Sequence, residues 1–332
     1  MMTLFNATSS KARLTAIGSS VPKKILTNAD LENIVETNDE WIVQRTGIRE
    51  RRIAAEDEFT SHLCIAAVQD LIDRYPVSVK DVDLILVATH TPDFPFPSVA
   101  CQLQAHFGIA AAGALDLNAT CAGFTYGLHM ANGLISSGLH RKILVVGADT
   151  LSKITDYSDR TTCILFGDGA GAVLVEKDEE VPAFIAHHLG SDGTGGSFLY
   201  RTGLSNTLGG NSLEGDGKLV QNGREVYKFA VSTVPKGVEQ LLDSSGLQAP
   251  DIDWFIPHSA NLRIIESICE KSGLPFDKAL YSLVKYGNTS AASIPLALDL
   301  GIREGKVKPG DLLLLYGFGG GFAHAGLIVR WG

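Results

Sequence analysis

Two stretches of this chain repeat one another, and the repeat limits the possible fold more than any single motif does. "DVDLILVATHT" (81–91) and "DIDWFIPHSAN" (251–261) each place an Asp-Val/Ile-Asp lead-in before a short apolar strand. The run that starts at Cys121 and passes through a helix to "GLHRKILVVGAD" has its match in the run from Asn288 to "GDLLLLYGFGGG". Both read as turn, helix, polar link, apolar strand and glycine. Two halves of roughly 150 residues with one element order indicate a duplicated α/β unit. The division is expected near residues 176 to 190, where "EKDEEVPAF" is polar and carries a proline, giving an N-terminal half over 1–180 and a C-terminal half over 181–332. In this register Cys121 and Asn288 hold equivalent places and His258 falls where Ala88 lies. Pseudo-twofold packing would then bring Cys121, His258 and Asn288 to one centre.

The apolar runs "VDLILVAT" (82–89), "KILVVGA" (142–148) and "GAGAVLVE" (169–176) are unbroken, and a helix-period segment passes through Phe124, Leu128, Ala131 and Ile135. Such runs between helices predict an α/β architecture with sheets covered on both faces. At 332 residues, 45% hydrophobic and 20% charged, the chain can bury a core of that size. The net charge of −9 argues against nucleic acid as the main partner, while leaving room for a local basic patch. No apolar run reaches the roughly 18 residues of a membrane span, and "MMTLFNATSSKARL" carries no apolar leader segment. Five scattered cysteines, Cys64, Cys101, Cys121, Cys163 and Cys269, without a C-x-x-C pair, argue against disulfides and a zinc site. A cytoplasmic location, no membrane partner and no metal are expected.

Cys121, in "NATCAGFTYG", sits where a helix begins. By default such a cysteine is a small buried hydrophobe. A helix N-terminus, however, offers a thiolate the positive end of the macrodipole, which would lower the thiol's pKa and prepare a nucleophile. On spacing alone both readings stay open. The glycine runs "GDGAGA" (167–172) and "GFGGG" lead into strand-like segments and not helices, so they lack the context of a dinucleotide fingerprint and read as sites of close backbone approach.

Six separated segments, "TNDEWIVQRTGIRERR", "NATCAGF", "LFGDGAGA", "PHSANLRII", "YGNTSAASIPLAL" and "GFGGGFAHAG", together resemble the thiolase superfamily and, within it, the 3-oxoacyl-(acyl-carrier-protein) synthase III family. The resemblance runs from about Ala12 to the end of the chain. It implies a thiolase-like five-layered α/β/α/β/α fold, a homodimer and an acyltransferase that needs no cofactor. The implied reaction is the decarboxylating condensation of a short acyl-CoA primer with malonyl-acyl-carrier protein, which initiates type II fatty-acid synthesis. Cys121 would accept the acyl group. His258 and Asn288 would stabilise the enolate formed on decarboxylation, and the backbone N–H groups of Cys121 and Gly320 would form the oxyanion hole.

The same resemblance places CoA on Thr37, Trp41, Arg45, Arg160, Asn222, Gly223 and Asn261, with Trp41 and Arg160 enclosing the adenine. Thr161 follows Arg160 where some relatives carry glycine. Phe96, given across the dimer, and Phe318 would shape the acyl pocket, and Lys228, Arg263 and Lys271 would dock the acidic carrier protein. "GFGGGFAHAG" lacks the second reactive cysteine of thiolases, and Asn288 stands where elongating ketosynthases have histidine. Two other functions share parts of this pattern: a specialised polyketide-type initiation synthase, and a non-condensing acyl-CoA hydrolase or binding homologue. No residue decides between acetyl and branched primers.

Overall fold

Each half of the chain builds one large sheet beside smaller two-stranded ones, as shown by a computed structural model that describes residues 10–181 and 183–332. Residues 1–9 of the expected N-terminal half, and Pro182 of the boundary segment, lie outside the described residues.

The first sheet has five strands in the order Ala12–Ser20, Asp168–Lys177, Lys142–Thr150, Leu84–Ala88, Gly113–Leu117. Leu84–Ala88 runs parallel to both of its neighbours, and the pairs at the other end are antiparallel. The second sheet repeats the plan with four strands, Phe184–Gly190, His324–Arg330, Leu312–Phe318 and Trp254–Pro257, in which the last pair is parallel. Its missing fifth strand survives as a single parallel bridge between Phe255 and Ala279.

A constant offset of 170 residues carries Leu84 onto Trp254, Ile143 onto Leu313 and Gly123 onto Ser293. The paired Asp lead-ins acquire a reason in this register. The N–H of Asp83 donates to the Lys142 carbonyl at 3.0 Å, and that of Asp253 donates to the Leu312 carbonyl, also at 3.0 Å. The Asp83 and Asp253 carboxylates accept the N–H groups of Arg141 (2.7 Å) and Leu312 (2.8 Å), which fixes how each parallel pair begins.

Alternation along the strands separates three layers of core. Leu84 and Leu86 point inward, towards the helix Gly123–Ser136 through Phe124, Leu128 and Ile135, and beyond it to Leu313, Leu315 and Ile256 of the second sheet. Ile85 and Val87 point outward and are covered by Leu63, Val68 and Leu71 of the helix Thr60–Arg74. On the far side Phe255, Leu314 and Tyr316 pack against Val234, Val238 and Leu241 of the helix Gly223–Ser245 and against Ile264, Ile265 and Ile268 of the helix Leu262–Ser272. This is the five-layered thiolase-like arrangement. With both faces covered, all nine residues of Lys142–Thr150 are buried, which accounts for the unbroken apolar runs.

The two buried helices, Gly123–Ser136 and Ser293–Arg303, fill the middle layer. Their fit depends on glycine: a Cβ on Gly147 would collide with the Ala291 carbonyl, and one on Gly171 would lie 2.5 Å from the Pro295 Cβ. "GDGAGA" therefore serves helix-on-strand contact, as its lead into the strand Asp168–Lys177 suggested.

Candidate active site

The helices of the middle layer are each entered through one 3₁₀ turn, Thr120–Ala122 in the first half and Ser290–Ala292 in the second. Both turns open on a residue forced into the left-handed region, Thr120 at φ 45° and Ser290 at φ 51°, and the 170-residue offset relates those two positions. The expected pairing of Cys121 with Asn288 shifts accordingly. The counterpart of Cys121 is Ala291, and that of Asn288 is Asn118, because the helix starts fix the register three residues away from where the glycine-rich ends had suggested. The match of His258 with Ala88 stands, each falling four residues past a paired strand position, Trp254 or Leu84.

The offset still brings the three side chains to one place. Cys121, His258 and Asn288 all line a single cavity of about 1400 Å³, which runs past Phe318, Gly319 and Gly320. His258 stands edge-on to the Phe318 ring, with centroids 5.2 Å apart. Gly319 has no room for a side chain, since its Cβ would lie 2.8 Å from the Cys121 Cβ and 2.9 Å from Sγ. The Thr120 hydroxyl donates to the Gly320 carbonyl at 3.2 Å and ties the glycine turn to the nucleophile turn.

Two serines on one segment orient the polar groups. The buried Ser293 hydroxyl lies 2.7 Å from His258 Nδ1, and Ser293 Oγ also receives the N–H of Ser259 at 3.3 Å. Among the described residues the Ser293 O–H has no other acceptor within hydrogen-bond distance, so it donates to Nδ1 and the imidazole proton resides on Nε2. Asn288 Oδ1 accepts the N–H of Ser290 at 2.9 Å, which leaves the amide N–H groups of Asn288 as donors. Burial drives the His258 imidazole down to about 3, against the pull of Asp149, so the ring is neutral at physiological pH.

Cys121 departs from expectation. It lies in the 3₁₀ turn before the helix Gly123–Ser136, and burial pushes its thiol up to about 12 although the Ser290 hydroxyl opposes the shift. The helix start does not by itself hold a thiolate at rest: desolvation outweighs it. The resting pair is thiol and neutral imidazole.

These values carry a stability consequence. An unfolded His258 titrates near its ordinary 6.5 and the folded one near 3, so between those values the unfolded chain binds a proton that the folded chain refuses. Stability therefore falls as pH drops through that window. His258→Gln should show a shallower decline of Tm than the wild type when both are melted from about pH 7.5 down to about pH 5. Equal slopes would contradict a buried, neutral His258.

Family models match both halves: one described as 3-oxoacyl-[acyl-carrier-protein (ACP)] synthase III over residues 115–193, and its C-terminal counterpart over residues 242–331. A β-ketoacyl-[acyl-carrier-protein] synthase III 2 of Halalkalibacterium halodurans is 68% identical over 322 residues, covering 97% of each chain. The chain belongs to the 3-oxoacyl-[acyl-carrier-protein] synthase III family. A Bacillus subtilis synthase III 2 is 62% identical over 97% of this chain and 99% of its own. The crystal structure of a Thermus thermophilus synthase III superposes with a TM-score of 0.93 at 46% identity, covering 96% of this chain and 99% of that one.

Of the CoA residues carried over from the family, Trp41, Arg45, Arg160, Gly223 and Asn261 line the cavity, together with Thr161. The Arg45 and Arg160 guanidiniums sit 5.0 and 5.7 Å from the Trp41 ring centroid, and Asn261 donates to the Arg45 carbonyl at 3.0 Å. Thr37 and Asn222 are not on the cavity wall: the Thr37 hydroxyl is buried without a partner, and Asn222 caps its helix by accepting the Glu225 N–H. Phe318 lines the pocket. Phe96 does not, and is 85% exposed.

Of the residues expected to dock the carrier protein, Arg263 lines the cavity, and Lys228, with its side chain 75% exposed, pairs with Glu225 at 3.8 Å. Lys271 is exposed on the helix Leu262–Ser272, and its ammonium donates to the Val231 carbonyl of the helix Gly223–Ser245 at 3.1 Å. Ser290, Ser293, Asp149 and His90 were not anticipated. The hydroxyls at both ends of "SAAS" were the signal for the two serines. Among the described residues no cluster of three or more His, Cys, Asp or Glu side chains could hold a metal ion, and no helix is long and apolar enough to cross a membrane.

Proposed function

We propose that the chain condenses a short acyl-CoA primer with malonyl-acyl-carrier protein, releasing carbon dioxide and CoA and giving 3-oxoacyl-carrier protein, through an acyl group held on Cys121. The observation that carries this reading is the orientation of two donors into one cavity, His258 Nε2–H set by Ser293 and the Asn288 amide set by the Ser290 N–H. The Cys121 sulfur attacks the primer thioester, its proton leaves with the CoA thiol, and an acyl-enzyme remains. Malonyl-carrier protein then enters and its terminal carboxylate departs as carbon dioxide. The electron pair of the broken C–C bond becomes an enolate whose oxygen meets the two donors. The enolate carbon attacks the acyl carbonyl and the Cys121 sulfur leaves. Carbanion formation is driven by loss of carbon dioxide, so this sequence calls for no cofactor.

Trp41, Arg45 and Arg160 suit the nucleotide end of CoA, with an aromatic face and two guanidiniums at the cavity mouth. A homodimer agrees with two features of the free subunit: the edge strand Gly113–Leu117 and the exposed Phe94 and Phe96 beside it. Phe96 would then meet the partner's acyl pocket.

On a surface of net charge −9, the acidic carrier protein must find local cations, and Arg263 and Lys228 offer them. Steady-state assays with acyl-CoA and malonyl-carrier protein test both proposals. Wild type should form the 3-oxoacyl product on the carrier and far less with free malonyl-CoA. Arg263→Glu with Lys228→Glu should raise the carrier-protein KM about tenfold at low salt and less at high salt. Turnover indifferent to the carrier would overturn the assignment of the acceptor.

A further inference from the structure

Behind the nucleophile lies a buried carboxylate that the reaction as derived does not use. Asp149 is the next-to-last residue of the fully buried strand Lys142–Thr150. Its Oδ1 accepts from the Thr89 hydroxyl (3.0 Å), the His90 N–H (2.9 Å), the Thr91 N–H (3.2 Å) and the Thr91 hydroxyl (2.9 Å). Its Oδ2 lies 3.1 Å from His90 Nδ1 and 3.4 Å from the Ala291 N–H. Burial alone would raise this carboxyl, yet His90 and the hydrogen bonds hold it below the ordinary range. It is therefore a carboxylate.

The Ser290 hydroxyl lies 3.4 Å from the Cys121 sulfur. We propose that Ser290 and Asp149 are positioning residues for the nucleophile: the Ser290 hydroxyl reaches the sulfur, the N–H of the next residue reaches the Asp149 carboxylate, and the charge behind the turn opposes ionisation of the sulfur. A hydroxyl has one proton to give. That of Ser290 points to the Cys121 sulfur, so a thiolate formed by release of the S–H proton to water meets a donor already aimed at it. Asp149 keeps its donors from Thr89, His90, Thr91 and Ala291 throughout. The two residues act in opposite senses, the hydroxyl stabilising the thiolate and the nearby negative charge opposing it.

The titratable groups facing Asp149 are His90 from the segment after Leu84–Ala88, Cys64 on the helix Thr60–Arg74, Cys121, and His258 after Trp254–Pro257. Burial holds the Cys64 thiol well above its ordinary range and keeps His258 neutral, so neither adds charge beside the carboxylate, and His90 Nδ1 lies 3.1 Å from its Oδ2. The left-handed backbone at Ser290 adds a useful handle, since glycine adopts φ 51° without strain.

This inference rests on Cys121 being the nucleophile, and it is tested on the sulfur alone, without CoA or carrier protein. The rate of Cys121 carbamidomethylation by iodoacetamide is followed by mass spectrometry across pH, with folding checked by circular dichroism. The thiol stands near 12, so rates are compared well below that value, where a tenfold change in rate reports about one unit of thiol pKa. Ser290→Gly, which removes only the hydroxymethyl group, should slow alkylation about tenfold at each pH between about 7 and 9. Asp149→Asn should speed it by a similar factor, an acceleration that a merely structural disturbance would not give. If Asp149→Asn does not fold among so many N–H and O–H donors, Ser290→Gly decides alone. A Ser290→Gly rate equal to wild type, or a folded Asp149→Asn that reacts no faster than wild type, overturns the proposal. Absence of alkylation at Cys121 in the wild type would instead remove the nucleophile reading on which it rests.

Discussion

Cys121→Ser should retain the fold and lose acyl transfer by on the order of 10⁴-fold or more, because removing the nucleophile of a cooperating set costs nearly all the chemistry it supports. In wild type incubated with a short acyl-CoA, intact-mass and peptide mapping should find one acyl group, on Cys121. The other four thiols give reasons for their silence: Cys64, Cys163 and Cys269 are buried, Cys101 is exposed, and none of the four lines the cavity. Only Cys121 meets a substrate in a walled site. Acylation at any other cysteine, or an active Cys121→Ser, would overturn the assignment.

The second expectation separates the half-reactions. His258→Ala and Asn288→Ala should each cut malonyl decarboxylation by about 10²- to 10³-fold, the usual cost of one preorganised donor at a developing oxyanion. Loss of acylation should stay within about tenfold, because the polar side chain in contact with the sulfur is Ser290. Decarboxylation is read as carbon dioxide release, and acylation as protein-bound label after a single turnover. Since His258→Ala also leaves Ser293 without its partner, the melting curve of each variant accompanies the rates. Parallel loss of both half-reactions in Asn288→Ala would contradict its role as an enolate donor.

How much of this was legible in the sequence depended on whether a feature runs along the chain or across it. The Asp lead-ins at 81–83 and 251–253 betrayed the duplication because each repeat solves one backbone problem, the start of a parallel pair. Position 258 could be placed from them. The Cys121–Asn288 pairing slipped by three residues because glycines mark turns loosely, whereas the register is fixed by helix starts that no residue type announces. Ser290, Asp149 and His90 meet from segments far apart in sequence, so no spacing could reveal them. Helical periodicity gives the face a side chain takes, but not that a carbonyl of the neighbouring helix stands beside the Lys271 ammonium.

The repeat leaves an asymmetric inheritance. Where the first half carries Cys121 the second carries Ala291, and where the second carries His258 the first carries Ala88. Small residues stand at the two counterpart positions, and at one of them the backbone closes tightly, the Ala291 carbonyl facing Gly147 where no side chain would fit. The cavity therefore draws its sulfur from one helix entrance and its imidazole and amide from the other repeat, so neither repeat alone holds a complete set.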